Sequence, residues 1–137
     1  MELKVRALQE SDWETLVSWW SSWEEWKTHP PKEILPMNGI GGLIIESDGQ
    51  PIIAGFLYLT NSKIAWIEWI ISDKNYRNKN KKEALELLIN SLESIAKTTG
   101  AEMIFSVGKN KSVLNTHKRL GYTIDEDPSY EISKKIQ

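Results

Sequence analysis

A chain of 137 residues, 40% hydrophobic and 26% charged, suits one domain with one sizeable core. Its net charge of −2 argues against a general nucleic-acid binder, which would carry an overall basic surplus. The lack of cysteine excludes disulfides, a thiolate nucleophile and cysteine-based zinc sites, and His29 and His117 form no recognisable metal motif. No apolar run approaches the ~20 residues of a membrane span. Residues 1–6 lack a signal-peptide core, so no membrane association and a cytoplasmic location are expected.

Leu3–Leu8 alternates apolar and polar residues and reads as a half-buried strand. Ser11 and Glu14 have the spacing of a capping box, which predicts a helix from there to about Lys27. His29-Pro-Pro31 stops it, because proline cannot continue the hydrogen-bond ladder. Five of the seven tryptophans fall in this segment. Trp13, Leu16, Val17 and Trp20 make one helical stripe, expected in the core. Trp19, Trp23 and Trp26 make a second, expected to line an acceptor site or a dimer contact, or to lie under the proline-rich loop that follows. Glu24 and Glu25, beside them, are placed to attract a cationic amine.

Gly42–Glu46 and Pro51–Thr60 flank the turn Ser47–Gln50 and predict a hairpin. Ile64–Ile71 is a mostly apolar strand, expected to be buried on both faces. A basic, asparagine-rich turn, Asp73–Lys82, leads from it into a helix over Lys81–Thr99. Ala84, Leu85, Leu88, Leu92, Ile95 and Ala96 share one face of that helix, and Gly100 ends it. Glu102–Val107 completes a βαβ unit with parallel strands. Lys111–Leu120 is a short helix ended by Gly121. Tyr122–Ile124 and Ser129–Ile136 are further strand candidates, the second with Tyr130, Ile132, Lys134 and Ile136 on one face.

The basic turn is the strongest functional lead. A helix start exposes unpaired N–H groups and the positive end of the helix dipole, so lysines gathered there make sense around an anion. Tyr76-Arg77-Asn78-Lys79-Asn80-Lys81-Lys82, followed by Asn110 and the segment His117-Lys-Arg-Leu-Gly121-Tyr122 at matching spacing, resembles the GNAT superfamily of N-acetyltransferases. The order of elements is similar along nearly the whole chain, the motifs only between Ile64 and Tyr122. In the family's pyrophosphate-binding motif, Arg77 agrees, while Asn80 and Lys82 stand where glycines are usual. In the second motif, His117 replaces a tyrosine.

The resemblance implies a single α/β domain over residues 1–137, with a mixed, twisted sheet, helices on both faces, and central parallel strands that splay. It implies acetyl-CoA as cosubstrate, lying along Ile70, Ile71 and Ser72 and the turn Arg77, Asn78, Lys79, Asn80, Lys81 and Lys82, with Asn110 opposite. The implied reaction is direct attack of a small-molecule or peptide amine on the thioester, with no metal. Glu68, among apolar neighbours that raise a carboxyl pKa, is the candidate base. His117 is the candidate acid. Trp19, Trp23 and Glu24 are candidates for the acceptor side. The alternative is a GNAT-fold interaction module that has lost efficient catalysis, with the tryptophan face as its contact surface.

Overall fold

The computed structural model describes residues 2–136. Its strands are β1 (Leu3–Ala7), β2 (Gly42–Ser47), β3 (Gln50–Leu59), β4 (Ile64–Ser72) and β5 (Met103–Ser106). Its helices are α1 (Trp13–Ser22), α2 (Lys81–Thr98) and α3 (Lys111–Arg119). The strands form one sheet in sequence order. β1 to β4 pair antiparallel, and β5 pairs parallel to β4 through the α2 crossover.

α2 and α3 lie on one face of the sheet and α1 on the other. On α2, Ala84, Leu85, Leu88, Ile89, Leu92 and Ala96 recur every three or four residues and are all buried. They pack on Leu43, Ile45, Ile53, Leu57, Ala65 and Ile67 of the sheet. Gly55 of β3 permits the close approach, since a Cβ there would come within 3.3 Å of Leu88. Ile95, expected on this face, is 39% exposed. On the opposite face, Leu16, Trp19 and Trp20 of α1 pack on Ile44, Ala54, Phe56 and Ile71. Trp20 is fully buried and stacks on Phe56.

Four expectations about elements are corrected. The Ser11–Glu14 box does not form. Asp12 instead accepts the Gln9 N–H at 2.8 Å and two bonds from Arg6, so α1 begins after a 3₁₀ turn. α1 ends at Ser22 rather than near Lys27, because Trp23 turns extended and its indole N–H reaches the Ser72 carbonyl at 2.8 Å. Residues 122–136 form no strand, so β5 is an edge. An acidic run and a proline, Asp125-Glu-Asp-Pro128, interrupt the alternation there, and Tyr130, Ile132 and Ile136 stand 90% or more exposed. β4 is also less buried than expected, with Trp66 stacked on Phe105 at the surface.

Candidate functional site

The site arises where the parallel pair comes apart. β4 and β5 are in register from Ile64↔Met103 to Ile67↔Ser106, and the Val107 N–H still bonds the Ile67 carbonyl. β4 then continues to Ser72 without β5. A bulge turns it. Phe56 pairs with Glu68 and Ala54 with Ile71, so β4 carries an extra residue. Trp69 takes it up with φ 61, a left-handed backbone that a bulky residue seldom adopts. The indole holds the bulge in place. Trp69 Nε1 donates to the Tyr58 hydroxyl at 2.8 Å, and that hydroxyl donates to the Ile34 carbonyl at 2.9 Å.

A cleft of about 780 Å³ opens at this point. Ile70, Ile71 and Ser72 form its floor, Lys79, Lys81, Lys82 and Leu85 one wall, and α3 the other. Of the turn residues singled out from sequence, the three lysines reach the cleft and Arg77 and Asn78 do not. Arg77 is exposed, and its charge acts on Lys81 instead. Burial, with Arg77 second, lowers the Lys81 pKa, while Asp73 opposes the shift.

Asn80 corrects the idea that its position needs a glycine-like backbone. Its φ is −83, an ordinary value, and it stands at the N-cap position of α2 without a side-chain capping bond. Its side chain faces inward, accepting from the Tyr76 hydroxyl and donating to Ser47 Oγ at 3.2 Å. The Tyr76 hydroxyl lies 3.0 Å from that same Oγ. This network ties the basic turn to β2 rather than to the cleft. Asn110 lines the cleft, but its side-chain Oδ1 caps α3 by accepting the Val113 N–H at 3.0 Å.

A smaller recess adjoins the cleft, sharing Trp26, Ile70, Asn110 and Val113. Glu68 and Trp69 line it with Lys109 and Glu131. Burial first, then the charge of Glu131, pushes the Glu68 carboxyl above its ordinary value, and Lys109 partly opposes this. Lys109 Nζ sits 4.5 Å from the centre of the Trp26 ring. The recess therefore joins a carboxyl of raised pKa to aromatic faces that attract cations.

His117 is not in either space. It is 4% exposed, with Nε2 2.6 Å from Ser106 Oγ and Nδ1 2.8 Å from the Val113 carbonyl. The carbonyl requires Nδ1 to donate, so Nε2 accepts from the serine. Burial lowers its pKa. The candidate acid is a core histidine that fastens α3 to β5. Trp19 is likewise corrected: at 6% exposure it belongs to the core. Trp23 does line the cleft, with Lys74 and Lys81 over its ring at 5.7 and 5.4 Å. Glu24 points to solvent, and Glu25 is the acidic residue at the cleft.

The α3 wall went unread from sequence. Lys111, Ser112, Asn115, Thr116 and Arg119 all face the cleft. The i, i+4, i+8 stripe of Lys111, Asn115 and Arg119 is the signal that could have found it. Arg119 is held by Glu86 of α2 at 3.1 Å.

No protein-family model matches the sequence, and no curated protein matches it. Solved structures match the fold. An acetyltransferase from Trypanosoma brucei is 18% identical, with a TM-score of 0.64 over 96% of this chain and 100% of its own. An aminoglycoside N-acetyltransferase in complex with CoA is 16% identical, with a TM-score of 0.65 over 98% and 96%. A transcriptional regulator from Bacillus halodurans is 14% identical, with a TM-score of 0.66 over 96% and 100%. The chain has the fold of the GNAT acetyltransferases.

Proposed function

We propose that this protein is an acetyl-CoA-dependent N-acetyltransferase acting on a small-molecule or peptide amine. The observation that carries the reading is the opening of β4 from β5 after Ile67, aimed at the lysine-rich start of α2. The cleft lies within the ~300–1,000 Å³ range of small-molecule sites. Its donor set fits the cosubstrate. Lys79, Lys81 and Lys82 offer cations, and the first turn of α2 offers N–H groups without acceptors in the helix, both suited to phosphates. The apolar floor of Ile70 and Ile71 suits an uncharged arm.

When bound, acetyl-CoA supplies the acyl group as an activated thioester. The unpaired backbone of β4 beyond Ile67 is placed to donate to the carbonyl oxygen as charge develops there. Glu68 takes the proton of an incoming ammonium in the adjoining recess, directly or through water. Trp26 and Trp69 line the same recess as aromatic groups suited to a cation. His117 has no part, since both of its ring nitrogens are engaged in the core.

A second reading has one observation in its favour. Lys82 puts a long side chain into the cleft where the family motif has glycine, as a GNAT-fold module without efficient turnover could tolerate. Calorimetric titration of acetyl-CoA, followed by a free-thiol assay with pooled amines, separates the two. Binding with amine-dependent thiol release is expected. Binding without release, or no binding at about millimolar ligand, overturns the acyltransferase reading and moves the assignment to the interaction module.

A further inference from the structure

The fork between β4 and β5 carries complementary groups on its two arms. The last bond across it runs from the Val107 N–H to the Ile67 carbonyl at 3.1 Å. On the β4 arm the next residue is Glu68, and on the other arm Gly108 and Lys109 follow. A Cβ at Gly108 would come within 3.0 Å of Val113 and Leu114, so glycine lets this arm lie against α3. Asn110 then caps that helix. Lys109 is thus held between a close backbone approach and a helix cap. It borders the recess with Glu68, Trp26, Trp69 and Glu131.

The ammonium of Lys109 is not locked in an ion pair among the described residues. Nζ stands 4.5 Å from the centre of the Trp26 ring, and Trp26 lines both the recess and the main cleft. Its charge reaches Glu68, whose ionisation it favours against burial and Glu131. The lysines of the main cleft, Lys79, Lys81, Lys82 and Lys111, do not border the recess. A primary amine, a ring that holds its cation and a carboxyl able to take its proton therefore share one space. That space adjoins the Ile70 floor on which the proposed thioester lies.

We infer that Lys109 is an acceptor for the chain's own acetyl transfer, so that the protein modifies itself at this residue. The inference rests on the acyltransferase reading of the cleft. One ammonium proton passes to the Glu68 carboxylate, and the freed lone pair forms a C–N bond with the thioester carbon. The C–S bond breaks with its electron pair on sulfur. Nitrogen loses two protons in all, of which one ends on the thiol of CoA and the other in water. The product is a neutral acetyl-lysine. The cation over Trp26 is then gone, and with it the positive charge that opposes Glu131 at Glu68.

Incubation of the purified protein with saturating acetyl-CoA and no added amine, followed by peptide mass spectrometry, tests this. Lys109 should take up one acetyl group at least about tenfold faster than Lys97 and Lys135, which are exposed and outside both spaces. The rate per molecule should not change with protein concentration, because the bound donor and the acceptor are on one molecule. Lys109→Arg keeps a cation for Trp26 but offers no nucleophile, since the guanidinium stays charged. It should bind acetyl-CoA as the parent does in calorimetry and lose the fast label. Glu68→Gln should slow labelling of Lys109 about a hundredfold and leave Lys97 and Lys135 unchanged. Equal labelling of the three lysines in a protein that binds acetyl-CoA overturns the inference and leaves the acyltransferase reading standing. So does a fast label that persists in Lys109→Arg, or a rate proportional to protein concentration. Absence of acetyl-CoA binding overturns both.

Discussion

The two halves of β4 have opposite characters within one strand. From Ile64 to Ile67 it is paired on both sides, and Ala65 and Ile67 lie at 0% exposure under α2. From Glu68 to Ser72 it has lost β5, carries a left-handed Trp69, and borders the cleft and recess. The first half has its backbone bonds satisfied by neighbours and its side chains by the core. The second half stays paired with β3 but is open on the side β5 has left, and carries a carboxyl of raised pKa. A sheet that closed completely here would gain hydrogen bonds and lose the site. Local strain of about 1–3 kcal/mol at a residue such as Trp69 persists only where surrounding bonds hold it, as the Tyr58 and Ile34 contacts do.

This contrast can be broken most severely at Ile67. Ile67→Ala should cost about 2–5 kcal/mol in denaturant unfolding while leaving the acetyl-CoA affinity of the folded protein unchanged. A loss below ~1 kcal/mol would show that the paired half is not part of the core in the sense described.

Glu68→Gln should do the reverse. Acetyl transfer should slow about a hundredfold, equivalent to ~2.7 kcal/mol, with binding of acetyl-CoA retained. Because burial raises the folded pKa of Glu68 above 4.5, its charge is a cost that appears as pH rises through that folded value. The glutamine variant should therefore be the more stable at neutral pH and equal to the parent in strong acid. Equal melting at neutral pH would place Glu68 in water.

Asn80→Gly separates the two roles given to the turn. With φ at −83 and bonds to Tyr76 and Ser47, loss of the side chain should reduce stability by about 1–3 kcal/mol. Unchanged stability would return Asn80 to the role of a glycine substitute. Lys81→Ala should weaken acetyl-CoA binding about tenfold, ~1.4 kcal/mol, less so at high salt. Arg77→Ala, outside the cleft, should weaken it less, and a larger effect at Arg77 would shift the anion outward.

The smallest effect concerns His117. Its folded pKa lies below 6.5, so the stability from the neutral ring is present above that value and lost as pH falls through the folded pKa. The parent should lose stability on acidification with a slope that His117→Asn removes. A matching limb in the transfer rate at saturating acetyl-CoA would instead bring His117 into the reaction.

The sequence by itself determined the elements whose period is carried by their own residues. Leu88 and Leu92 recur at helical spacing, and the runs of β3 and β4 are apolar enough to need a sheet. The lysines at the start of α2 were legible as a basic cluster at a helix end, because the helix end is a local property. It could not tell which of two similar residues a turn directs inward. Asn80 faces Ser47, 33 residues away, and Trp23 rather than Trp19 reaches the cleft because α1 stops to let its indole bond Ser72. The same spacing that suggested a catalytic His117 places it against Ser106, where burial rather than sequence sets its proton. The alternation of 129–136 reads as a strand, yet a strand needs a partner, and in the structure this segment pairs with none. Period and propensity act over a few residues. Burial, bulges and the pairing of edges are decided by what arrives from elsewhere in the chain.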